Sequence, residues 1–355
     1  MSDTSHRTPV GRTLRKRFGW LSQRSPLSPE PLIAYALLVV FCEVVVLQTL
    51  RVAEGYSPFF LVSPLWLLRP LILLGAAVVT LQLHRRYRLA LEELALSDRV
   101  DDPTRFERLI PPKLAWGFTF VGITFTLGNA LFFVGLQTLQ SWPIAAQLNW
   151  LVIVPFGYVP IFAMFLSTYL SVEVLLPHRI DSSDQLGLYY HDPENLGGMR
   201  PIGELMKHAY YYLLVGLVLY AVALYGPYIL QGVFEWEGGS VVEPGLMTNV
   251  LFTGVWALSV GVMMYGIHRI HRFMHREKRE RLRKLDELAR EHIDQPWNVE
   301  NFAIPEESES TYNDIRARMD LVSATKEYPA TFTMWVQFGV GVLIPKAVQL
   351  LLAAI

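Results

Sequence analysis

Residues 249–291 read NVLFTGVWALSVGVMMYGIHRIHRFMHREKRERLRKLDELARE. The first half is apolar and the second half is dense in Arg, Lys and Glu, yet neither Pro nor a cluster of turn residues separates them. About 43 residues of unbroken helix would measure about 65 Å, roughly twice the hydrocarbon thickness of a bilayer. The stretch therefore predicts a membrane span that leaves the bilayer as a helical stalk. Its basic half lies on the cytoplasmic side by the positive-inside rule.

The same rule extends to the whole chain. Apolar stretches near 32–53, 61–84, 114–137, 148–172, 208–231, 248–268 and 330–354 are each long enough to cross a membrane. Of 31 Lys and Arg residues, 6 fall in 1–31, 7 in 85–113, 3 in 173–207 and 12 in 269–329, that is, in the N-terminal tail and every second loop. The intervening loops carry none, and Arg51, Arg69 and Lys346 lie in or at the ends of spans. The expected architecture is an all-α polytopic membrane protein of seven transmembrane helices, N-terminus in the cytoplasm and C-terminus outside. A composition of 52% hydrophobic and 18% charged residues excludes an ordinary soluble domain. The single cysteine, Cys42, offers neither a disulfide framework nor a metal cluster. The net charge of −1 conceals an outer side with Glu54, Glu235, Glu237 and Glu243 and a basic inner side. That asymmetry concerns the bilayer and does not point to nucleic acid.

Four regions follow: a basic tail over 1–31, six spans with their inner loops over 32–268, a cytoplasmic stalk over 269–329, and a last span over 330–355. In the stalk, Leu282, Leu285, Leu288 and His292 share one helix face, and Tyr312, Ile315, Met319 and Val322 share another after the turn between Pro296 and Pro305. Spacings of three and four on both arms predict a cytoplasmic helical hairpin that extends helices 6 and 7. Pro329 then divides the returning arm from the last span.

The last span opens Thr331, Phe332, Thr333, Met334, Trp335, Val336, Gln337, Phe338. This stretch and the inverted topology with its long sixth helix and divided seventh resemble the insect odorant and gustatory receptor superfamily of seven-transmembrane ion channels. That family's motif is Thr-Tyr, five apolar residues and Gln-Phe; here Phe332 stands for Tyr and four residues intervene. The resemblance implies a homotetrameric channel with the last helix of each copy around the axis. Gln337, Val340 or Gly341, Ile344 and Val348 would then share the pore face, and a small-molecule ligand would enter between the outer halves of the other helices. It implies no cofactor.

Glu43 and Arg69 sit at similar depths on neighbouring antiparallel spans, which suits an intramembrane ion pair or, in the functional reading, an outer-facing ligand cavity. Lys346, in the outer third of the last span, suits an interface anchor or a charge facing the pore. In the inner loop, His191, Asp192, Asn195, Gly197 and Gly198 read as an Asx-type turn with glycines at positive φ; a site for a hard cation or an anion is the functional alternative. His268, His271 and His275 share a helix face, but the interleaved Arg269, Arg272 and Arg276 oppose a dication and favour anionic lipid. No enzyme signature occurs. The alternatives to a channel are a membrane receptor or transporter without a pore, and a membrane enzyme built on His191, Asp192 and His208.

Overall fold

The computed structural model describes residues 31–95, 99–100, 104–183, 186–230, 245–298, 300–329 and 332–354. Among them there is no strand; the one β-bridge joins Asp294 and Ala303 in the turn of the stalk. Six helical segments are long and apolar enough to cross a membrane: α1 Pro31–Ala53, α2 Leu65–Glu93, α3 Pro112–Phe132, α4 Ile144–Asp181, α5 Arg200–Gly226 and α6 Asn249–Arg290. Two further long helices follow among the described residues, α7 Glu306–Ala324 and α8 Phe332–Ala354. Within α8, Trp335–Leu351 is a shorter apolar stretch.

Large apolar side chains such as Phe120, Phe125, Phe132, Val215 and Leu258 stand exposed along these helices. In water such a surface would drive aggregation, and in a bilayer it meets acyl chains. The chain is a multi-pass membrane protein by this character.

The principal core lies where α2, α4, α5 and α6 converge at their Arg- and Lys-rich ends. Tyr87, Met164, Tyr169, Leu176, Met206, Tyr210, Ile270 and Phe273 meet there, and the connecting segments add Phe106, Leu109 and Leu186. A second core joins α1, α2 and α4 through Leu32, Ala36, Val39, Leu73, Ala77, Tyr158 and Ile161. The close approach of α1 to α4 requires a glycine: a Cβ on Gly157 would lie 2.8 Å from a methyl of Val39. α6 runs on past the bundle, and Leu285 and Ala289 share a buried cluster with Ile315 and Val322 of α7. Pro329 sits between α7 and α8, where helical hydrogen bonding is interrupted.

Four helical segments widen into π-helix: Cys42–Val46 in α1, Asn129–Gly135 at the end of α3, and Asn149–Tyr158 and Ser171–Leu175 in α4. Each contains a polar side chain otherwise rare in a span, respectively Glu43, Asn129, Asn149 and Glu173. Such bulges offset the helix by one residue and recur at functional positions.

Candidate functional site

α8 is two-faced. Its inner face lies on α5 and α6, where Gly341 is buried so tightly that an added Cβ would meet Leu214 at 2.8 Å and the rings of Tyr211 and Tyr210 at 3.4 and 3.6 Å. Trp256 of α6 donates from Nε1 to the Val342 carbonyl at 2.9 Å. One turn further, the Lys346 ammonium donates to Thr253 Oγ1 at 2.9 Å and Gln349 Oε1 at 2.8 Å. Gln349 Nε2 in turn donates to Tyr225 Oη at 3.0 Å and Asn249 Oδ1 at 3.1 Å. Lys346 is thus satisfied by neutral oxygens between α8 and α6. Val348 packs near Tyr225 and Phe252 on this same side.

The adjoining flank is bare. Gln337, Val340 and Ile344 are exposed, together with Val336 and Leu343. Of the five residues expected on one face, three share the bare one, while Gly341 and Val348 belong to the packed one. Gly341 is the position at which α5 can approach, and 337, 344 and 340 fall on one flank of it, about 40°, 60° and 100° around the helix.

Glu43 and Arg69 meet through a third residue. Glu43 is fully buried on the π-segment of α1 and accepts a hydrogen bond from the Tyr158 hydroxyl. The Arg69 guanidinium lies over the ring of that same tyrosine, 5.9 Å from its centroid. No direct ion pair joins the two charges among the described residues. Among the described residues the second Glu43 oxygen accepts no hydrogen bond. Lys346 belongs to the separate cluster on α8. Tyr158 was invisible to an argument restricted to charges; its position at the end of the α4 π-segment aims the phenol at Glu43.

In the loop between α4 and α5, Asp192 closes the turn by itself. Its carboxylate accepts from the backbone amides of Glu194 at 3.1 Å and of Leu196 and Gly198 at 2.9 Å each. Asn195, Gly197 and Gly198 adopt φ of 57°, 63° and 72°, the left-handed region that glycine occupies without strain. The loop is tied to the end of α7, as Lys326 N donates to the Asn195 carbonyl at 2.7 Å. Both Asp192 oxygens are therefore engaged in holding the backbone. His191 is exposed beside Tyr189, whereas His208 lines a cleft of about 410 Å³ with Arg86, Glu93 and Glu204.

The exit of α6 is clamped on two sides. Asp181, at the end of α4, binds Arg269 at 2.7 Å and Arg276 at 3.3 Å. On the other side, Glu327 accepts from His275 Nδ1 at 2.8 Å, and Tyr328 stacks on His271 at 4.1 Å. Tyr328 then meets Trp335 of α8 edge-on at 5.5 Å. Of the residues read as lipid-facing, His268 and Arg272 remain exposed, His271 and His275 fasten the elbow between α7 and α8 to α6, and Arg269 and Arg276 fasten the end of α4 to it.

The hydrogen bond from His275, with Lys278 and His271 adding positive charge, holds the Glu327 carboxyl below its ordinary value of 4.5 despite partial burial. A depressed carboxyl contributes stability above its unfolded-state value and loses it as pH falls through the folded value. Wild type should therefore exceed Glu327→Gln in thermal stability near neutral pH, by roughly 1 kcal/mol or less because the pair is partly exposed. The difference should close as pH falls below 4.5; a difference constant with pH would rule out this linkage.

Comparison with protein-family models, with curated proteins and with solved structures returns no match for this chain.

Proposed function

We propose that this membrane protein is a homotetrameric ion channel whose pore is lined by the bare face of α8. The observation that carries this reading is the division of α8 into a face fastened to α5 and α6 and a face presenting Gln337, Val340 and Ile344. Placed around an axis, these side chains form a glutamine ring followed by aliphatic constrictions. Such rings supply hydrogen-bonding groups to a partly dehydrated ion and close the path by dewetting. In this reading α8 is a seventh span, the N-terminus is cytoplasmic and the C-terminus external, in keeping with the charge distribution over the loops. The α6–α7 hairpin is the cytoplasmic anchor between copies. The resemblance to the odorant and gustatory receptor superfamily supports the same assembly, and the surroundings of Glu43, Tyr158 and Arg69 are the place where a polar small molecule would be recognised.

Recordings from purified protein in planar bilayers test the pore. Ile344→Ala widens the constriction and should raise open probability several-fold. Gln337→Glu adds a carboxylate per subunit and should shift the reversal potential toward that of the cation. Lys346→Glu, whose side chain lies against α6, should leave the reversal potential unchanged. Currents unaffected by both Ile344→Ala and Gln337→Glu would contradict a pore on this face.

A further inference from the structure

Glu173 is the most anomalous side chain in the bundle. It lies on the π-segment Ser171–Leu175 of α4, has no solvent exposure, and neither carboxyl oxygen accepts a hydrogen bond among the described residues. α6 packs directly on the α4 backbone here: a Cβ on Gly266 would fall 2.3 Å from the backbone carbonyl oxygen of Glu173 and 2.7 Å from the Met206 terminal methyl of α5. Around it, α4 supplies Tyr169, four residues earlier on the same face, and α5 supplies Tyr210. The Tyr169 hydroxyl is turned to the Ser259 carbonyl of α6 at 3.2 Å. α6 itself brings Gly266 and Met263, and Asp181, eight residues further along α4, is engaged by Arg269 and Arg276. Among the described residues no salt bridge reaches Glu173. An ionised carboxylate buried in this way would have neither water nor a counter-charge, an arrangement that proteins avoid by neutralising the group.

We propose that Glu173 is a proton-binding site of the membrane bundle, holding its proton while α6 is closed on α4 and exchanging it with cytoplasmic water when the two helices part at Gly266. Carboxyls inside spans mark proton and ion pathways, and a π-segment supplies the local helical irregularity for such an opening. The step is a proton transfer to water: the O–H bond of the acid breaks, the carboxylate keeps the electron pair, and hydronium carries the proton away. Conduction is not required for it, so its test is separate from that of the pore.

Infrared spectroscopy of the full chain in lipid at neutral pH reads the group directly. Wild type should show a carboxylic-acid carbonyl band that moves on transfer to D2O. The band should vanish in Glu173→Gln, persist at a shifted position in Glu173→Asp, and survive in Glu43→Gln. The Asp variant retains the acid and keeps the test valid where the Gln variant fails to fold. A wild-type spectrum without such a band, or a band unchanged by both substitutions at Glu173, would overturn the proposal.

Discussion

Gly266→Ala is expected to destabilise the bundle more than any comparable glycine substitution. The new methyl would sit 2.3 Å from a backbone oxygen of α4, which has no rotamer by which to withdraw. α4 and α6 must separate, and the principal core between them loosens. Overpacking costs roughly 1–3 kcal/mol where side chains can adjust, so a backbone contact belongs at or above the upper end. Gly261, on the same helix, supplies the control: nothing lies within 4 Å of its Cβ position. Gly261→Ala should stay within about 1 kcal/mol of wild type, the scale of intrinsic helix propensity. Thermal unfolding of the two variants in detergent, followed by tryptophan fluorescence, decides the matter; equal midpoints would show that α4 and α6 do not cross at Gly266.

Leu285→Asp should release α7 from the end of α6. Leu285 is 4% exposed and packs with Ala289, Ile315 and Val322, flanked by Leu282, Tyr312 and Met319. Truncating a buried leucine costs roughly 2–5 kcal/mol, and adding an unpaired carboxylate in its place increases the penalty. Leu288, one turn on, is 48% exposed, so Leu288→Asp should be nearly neutral. Amide hydrogen exchange over 306–324 should accelerate in the first variant and not in the second. If the stalk anchors the copies, the mass of the particle in detergent should also fall. A particle that keeps its mass while α7 exchanges freely would separate the packing of the hairpin from any role in assembly.

The membrane class was legible because hydropathy and basic residues act over long windows. Six apolar stretches reappear as helices within a few residues at most of their ends, and the run from Asn249 continues unbroken to Arg290. Leu285 and Ile315 share a buried cluster, and the period of three and four that each follows is read from local sequence alone. What sequence could not give was register. A π-segment changes neither composition nor apolar period, so the offsets at Glu43 and Glu173 leave no trace in hydropathy. Glu173 was assigned to an inner loop because it follows the apolar stretch ending near 172; α4 in fact runs to Asp181. The signal was present in the apolar Val174, Leu175 and Leu176 that follow it. The meeting of Glu43 and Arg69 through Tyr158, and of His275 with Glu327, depends on contacts between residues far apart in the chain. Periodicity within one segment carries no information about them. Gly341 was placed with the pore face because helical spacing allowed 340 or 341, and the two tyrosines of α5 that decide between them lie more than a hundred residues away.

The most direct measurement of the central claim is particle imaging of the purified protein in lipid nanodiscs. The account predicts a fourfold-symmetric particle with α8 nearest the axis, Gln337, Val340 and Ile344 facing it, and the α6–α7 stalks gathered on one side. A monomeric particle, or an oligomer with those three side chains directed at lipid, would contradict it.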